Sequence, residues 1–125
     1  MERHLECKFV FEKLEVWQLA KELAIELYGA TKKFPVEERY GLVSQIYRAV
    51  ISVASNIAEG ASRTSKKDRA HFYQIAYSSL MEVAAQLIIA RNLTFISSPE
   101  NARLREKLQE ISNKLNALYK SQLNN

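Results

Sequence analysis

Two stretches of this chain are nearly free of charge, and each holds one ionisable residue of opposite sign. Between Leu42 and Ala58 that residue is Arg48; between Phe72 and Ala90 it is Glu82. Both stretches read as helix, and both are apolar around most of their circumference. A surface helix carries one apolar stripe and one charged face, whereas a helix apolar all round is buried on several sides. A chain of 125 residues has little protein with which to surround two such helices. The economical expectation is that other copies of the chain complete the burial, so oligomerisation is the first functional statement the sequence makes.

The remaining composition narrows the class. At 14.4 kDa the chain reads as one domain, 1–125, able to bury roughly two-thirds of its unfolded surface. Three glycines and two prolines are too few for the many turns of a sandwich or barrel. Cys7 is alone, which rules out an internal disulfide and makes a reducing compartment the default. The start, Met-Glu-Arg-His-Leu-Glu, lacks a basic-then-apolar signal pattern, so a cytoplasmic location is expected. The stretch from Phe72 to Ala90 approaches bilayer-spanning length, but Gln74, Ser78, Ser79, Glu82 and Gln86 interrupt it. A central acid costs about 2.5–3.5 kcal/mol on insertion scales, which favours a buried protein helix over a membrane span. The net charge of +4 permits an anionic partner without demanding one.

Four helices account for nearly the whole chain. The first is expected over about 13–33, where Val16, Ala20, Leu23, Leu27, Ala30 and Phe34 recur at three and four. Glu15, Lys21, Glu22, Glu26 and Lys32 fall mostly elsewhere, on a wet face, and Pro35 ends the element. The second is expected over about 37–59. Its acidic start, Glu37-Glu38, suits the positive end of the helix dipole, and Gly60 stops it as a C-terminal glycine cap. It has two stripes: Leu42, Ile46, Ala49, Val53 and Ile57, and beside them Val43, Tyr47, Val50 and Ala54. The third, about 65–95, opens with Ser65 and Asp68 as a box-like pair. It too has two stripes, Tyr73, Ala76, Leu80, Val83 and Leu87 beside Tyr77, Met81, Ala84 and Ile88. Ser98 as N-cap and Pro99 at the first helical position open the fourth, about 99–120. There Leu104, Leu108, Ile111, Leu115 and Leu118 form a narrow coiled-coil-like seam. Short connections then give an all-α, antiparallel up-and-down four-helix bundle. Residues 1–11 and about the last five read as loose ends.

Polar residues inside the apolar helices also fall in lines. Gln45, Arg48, Ser52, Ser55 and Glu59, with Asn56 beside them, run along the second helix; Ser79, Glu82 and Gln86 run along the third. In an antiparallel hairpin an Arg48–Glu82 pair is within reach. A buried polar network of Gln45, Arg48, Ser52, Asn56, Glu59, Glu82 and Gln86 that fixes register or subunit pairing is the preferred reading over a ligand site. Catalytic chemistry is not visible. His4 and His71 are the two histidines, Asp68-x-x-His71 is an unpaired motif, and no Gly-rich phosphate loop or located nucleophile is present. No enzymatic activity, cofactor or metal is therefore expected. Arg63, Lys66, Lys67 and Arg69 crowd the turn between helices two and three against Asp68 alone. Such a run is most often a solvated turn, yet repeated around a ring of subunits it suits phosphate backbones.

Several segments carry a family resemblance. Leu14-Glu15-Val16-Trp17-Gln18 opens the first helix. Lys33-Phe34-Pro35 precedes Glu38-Arg39-Tyr40-Gly41-Leu42, Ser44-Gln45-Ile46 and Arg48-Ala49. Then come Ser55-Asn56-Ile57-Ala58-Glu59-Gly60, Phe72-Tyr73, Ser79-Leu80, Glu82 and Gln86-Leu87. Over residues 9–96 the chain resembles the bacterial four-helix-bundle proteins named after open reading frames in 23S rRNA intervening sequences. The resemblance implies a homopentameric barrel, no established enzymatic activity, and kinship with accessory proteins of diversity-generating retroelements, which bind nucleic acid and a reverse transcriptase. Ala54 stands where the family often has proline, and Ala84 where many members carry a second acid. The expected function is an oligomeric scaffold that contacts RNA or another nucleic acid through Arg63, Lys66, Lys67 and Arg69. The alternative is a protein-partner scaffold, accessory to a nucleic-acid-processing protein such as a reverse transcriptase. Enzymatic or small-ligand chemistry around Arg48 and Glu82 comes third.

Overall fold

A computed structural model describes residues 8–123. Cys7 and His4 lie outside them. The described residues form four long α-helices and two 3-10 turns, with no strand among them. The helices are α1 (Glu15–Thr31), α2 (Leu42–Ala61), α3 (Lys66–Asn92) and α4 (Ser98–Leu123). They pack as a bundle around one core. Val16, Ala20, Leu23 and Leu27 enter it from α1, and Ile46, Val50, Val53 and Ile57 from α2. Tyr73, Ala76, Leu80, Val83 and Leu87 enter from α3, and Leu104, Leu108, Ile111 and Leu115 from α4. The first-named stripe of each middle helix thus faces its own chain. The second is only partly covered: Val50 is buried in the core, Val43, Tyr47, Ala54, Tyr77 and Ala84 are half-buried against it, and Met81 and Ile88 are exposed.

Contacts between elements fix which ends meet. Ser52 on α2 shares a 2.8 Å hydroxyl–hydroxyl hydrogen bond with Ser79 on α3. Arg69, in the first turn of α3, donates Nε to Gln122 Oε1 at the end of α4 at 2.7 Å. Arg91, in the last turn of α3, donates to Ser98 Oγ at the start of α4 and to the Ile96 carbonyl. Between α1 and α4 the wet face is a ladder of ion pairs. Arg103 meets Glu26 at 2.7 Å, Lys107 reaches Glu22 and Glu26, and Lys114 reaches Glu15 at 3.3 Å.

Four local expectations change. Residues 37–41 are not α-helical: Pro35 leads into a 3-10 turn over Val36–Glu38, and α2 starts at Leu42 behind Gly41. The Glu38 carboxylate still serves the helix start, accepting from Leu42 N–H at 3.3 Å. Gly60 is not a cap. It sits inside α2, its φ is not positive, and a Cβ there would lie 2.7 Å from Tyr73 Cε1 and 3.1 Å from Phe72 Cβ. It is small because α3 comes close. The start of α4 is capped by Ser97, whose Oγ accepts from Glu100 N–H at 3.3 Å, so Pro99 stands one place deeper than expected. Residues 8–11 are not a loose end either. Phe9 stacks on Phe11, Phe11 meets Trp17 edge-on, and a 3-10 turn spans Val10–Lys13.

The α3–α4 turn supplies the one positive φ of a non-glycine among the described residues, Thr94 at 67°. The Phe95 N–H reaches the Ala90 carbonyl and the Thr94 N–H the Arg91 carbonyl, both at 2.9 Å. That is the bonding of a Schellman cap with threonine in the place usually held by glycine.

Candidate functional site

Three surfaces bear on function. The first is the basic turn. Ser65 caps α3, accepting from the Asp68 N–H at 3.1 Å, so Lys66 and Lys67 occupy the first helical positions. Both are exposed. Arg63 and Arg69 are committed within the chain. Arg63 pairs with Glu59 at 2.6 Å, and its guanidinium lies 4.7 Å from the Phe72 ring centroid. Arg69 is half-buried and donates Nη1 to the carbonyls of Arg63 and Thr64 besides its bond to Gln122. It holds the turn in shape rather than offering its charge outward. Two further cations, absent from the sequence-based set, reach the same end. Lys120 lies two residues from Gln122, and Lys8 precedes Phe9, which shares a groove with Ala61 and Ser62.

The second is the polar line between α2 and α3. Ser52 and Ser79 meet, and Asn56 Nδ2 donates to the Ser52 carbonyl at 2.9 Å and to its Oγ at 3.1 Å. Gln86 Nε2 donates to Glu82 Oε2 at 3.4 Å. Gln86 is 7% exposed, and its Oε1 is buried without a partner. The expected Arg48–Glu82 ion pair does not form within the chain. Gln45, Arg48, Glu59 and Glu82 are exposed, because this edge of the seam faces away from α1 and α4. Glu59 is spent on Arg63 instead. The expected buried network is therefore, in one chain, a centre of buried Ser79 and Gln86 and half-buried Ser52 and Asn56 with an exposed rim.

The third surface is apolar. Along α1 and α2 a groove of about 480 Å³ is lined by Phe11, Trp17, Ile25, Tyr28, Tyr47 and Ile51. Ile25 is 66% and Ile51 47% exposed. Along α3 and α4 a second groove, of about 300 Å³, is lined by Tyr77, Met81, Ala84, Ile88 and Arg105 among others, with Ile88 44% exposed. At the α1–α2 elbow a cavity of about 420 Å³ is walled by Tyr28, Tyr47, Phe34, Pro35, Val36 and Val43, with Lys32 and Arg39 at its edge. Burial and the neighbouring Tyr28 phenol push the Tyr47 phenol above its ordinary value. Sequence reasoning missed this cavity because its cations and rings lie on either side of a turn. The available signal was an aromatic at 28 and 47 with a basic residue at 32 and 39.

Among the described residues, no group of three or more His, Cys, Asp or Glu side chains gathers to hold a metal. No helix there is long and apolar enough to cross a membrane.

The profile of the 23S rRNA-intervening sequence protein family matches residues 12–117, from the 3-10 turn before α1 nearly to the end of α4. The chain belongs to this family. A solved structure similar to it is a protein of unknown function from the S23 ribosomal protein family of Bacteroides thetaiotaomicron. The two align with a TM-score of 0.77 at 22% identity, over 84% of this chain and 95% of the other. At that identity the likeness speaks to the fold: a helix bundle of this size and order. Comparison with curated proteins gives no match.

Proposed function

We propose that this protein is a non-enzymatic, cytoplasmic scaffold whose antiparallel four-helix bundles close into a homopentameric barrel that contacts nucleic acid through the basic turn. The observation that carries the scaffold is the pair of apolar grooves on different helix pairs, one on α1–α2 and one on α3–α4. When the surfaces that meet are different, head-to-tail association generates a ring if the rotation closes. Residues such as Ile25, Ile51 and Ile88 then leave water, each worth about 1.5–3 kcal/mol when fully buried.

The nucleic-acid contact rests on Arg63, Lys66 and Lys67 at one end of each bundle, with Lys8 and Lys120 beside them and Arg69 shaping the turn. A ring multiplies these charges on one rim. Binding to such a rim is driven by counterion release, so it falls steeply with salt and distinguishes sequences weakly. A titration of mixed-sequence duplex and structured RNA at two salt concentrations tests it. The parent is expected to bind both on similar terms at low salt. The triple variant Arg63→Gln, Lys66→Gln, Lys67→Gln is expected to lose binding with its oligomer intact; Arg69 is kept because its replacement would release the turn. Absence of low-salt binding by the parent, or binding untouched by the triple change, favours the alternative, a scaffold for a protein partner such as a nucleic-acid-processing enzyme.

A further inference from the structure

We infer that the cavity at the α1–α2 elbow is a nucleotide site, with the base against Tyr28, Tyr47 and Val36 and the phosphate between Lys32 and Arg39. It lies at the opposite end of α2 from the basic turn. The 20 residues of that helix put about 30 Å between the two, and the inference does not depend on the basic turn binding anything.

The walls supply the first argument. Tyr28 and Tyr47 have ring centroids 5.3 Å apart, inclined by 32°, and together they make a continuous aromatic surface. Tyr28 is 49% and Val36 68% exposed, so the surface is open to a flat ligand. The volume, about 420 Å³, falls in the roughly 300–1,000 Å³ range of small-molecule sites.

Charge supplies the second. Lys32 Nζ sits 4.4 Å from the Tyr28 ring centroid and makes no ion pair among the described residues. Arg39 is exposed, and its guanidinium has neither a hydrogen bond nor an ion pair among the described residues. No carboxylate lines the cavity. Elsewhere some long cations of α1 and α4 are matched to acids, as Arg103 is to Glu26 and Lys114 to Glu15, whereas Lys32 and Arg39 are matched to none among the described residues and share one cavity. Two unmatched cations beside a pair of tilted rings are complementary to a ligand that is aromatic and anionic at once. A base offers a π-face to the rings, and a phosphate suits the planar donors of arginine.

The neighbouring α1–α2 groove marks the contrast. Its one cation, Lys21, is spent on Gln18 Oε1 at 2.8 Å and lies over the Trp17 ring. Aliphatic and aromatic side chains of another copy suit that groove; an anion does not.

The test uses the full chain carrying Arg63→Gln, Lys66→Gln and Lys67→Gln, so that the basic turn is silent. A labelled single strand of about twelve nucleotides, a duplex of equal length and free adenosine monophosphate are titrated by anisotropy and competition. The single strand is expected to bind more tightly than the duplex, whose bases are unavailable for stacking. Tyr28→Leu, and separately the double variant Lys32→Gln with Arg39→Gln, are expected to weaken it at least about five-fold, the low end of what one stacked base contributes. Competition by the free monophosphate identifies a free nucleotide as a source; binding of the strand alone identifies nucleic acid. Equal affinity of variants and parent, or binding of neither strand nor monophosphate, overturns the inference. So does loss of oligomer mass in the double variant, which would show that the cavity seats another copy. A parent that fails to bind duplex while the silenced chain still binds single strand would refute the basic turn and leave this site standing.

Discussion

Gly60 shows how much one missing methyl decides at the α2–α3 contact. The sequence position, just before a turn, suggests a cap; the structure gives it a helical backbone against the Tyr73 ring. Tyr73 is buried and Phe72 Cβ belongs to the helix itself, so neither neighbour yields cheaply. Gly60→Ala is expected to destabilise by about 1–3 kcal/mol through overpacking, despite alanine's better helix propensity, as read by chemical denaturation. Tyr73 carries a second, pH-dependent signal. Burial pushes its phenol up, opposed by the nearby Arg69. Below the ordinary value of about 10 the phenol is neutral folded or unfolded, and its contribution is constant. Above it the native state holds the proton that the unfolded chain has lost, so stability falls as pH rises towards the raised native value. Tyr73→Phe is expected to lessen the loss of stability above about pH 10 and to change neutral-pH stability little, as measured by melting curves against pH.

At the scale of elements, periodicity did most of the reading. The three-four stripes of all four helices point into the core because each is the apolar face of a 3.6-residue period. Boundaries were less legible. The Pro35–Gly41 segment looks helical by its acidic pair, but a 3-10 turn and Gly41 intervene, and Ser97 rather than Ser98 takes the cap. The α1–α4 seam was invisible as a contact, since Glu22 and Glu26 meet Lys107 and Arg103 only through the register of helices far apart in sequence. Arg103 and Glu22 are exposed, Glu26 and Lys107 half-buried; an exposed pair is worth about 0–1 kcal/mol. Glu26→Gln, which removes the acceptor shared by Arg103 and Lys107, is expected to lower stability by less than about 1 kcal/mol. The loss should shrink in high salt.

On the scale of the whole molecule, the two nearly charge-free helices announce more apolar surface than one chain can cover. That is what the bundle displays: one stripe of α2 and of α3 lies in the core, while Ile51, Met81 and Ile88 stay exposed beside open grooves. The candidate sites were legible only in part. Lys66 and Lys67 stand exposed where the charge run put them, but the commitment of Arg63 and Arg69 to acids and carbonyls is a matter of geometry that composition does not carry. Arg48 and Glu82, marked by their isolation in apolar sequence, lie exposed on one edge instead of pairing, next to the orphaned Gln86 carbonyl. Assembly is the claim on which the scaffold stands. Light scattering coupled to size exclusion, run on the full chain at micromolar concentration, measures it directly. The expected mass is five times the 14.4 kDa of one chain, and a species of single-chain mass would contradict the account.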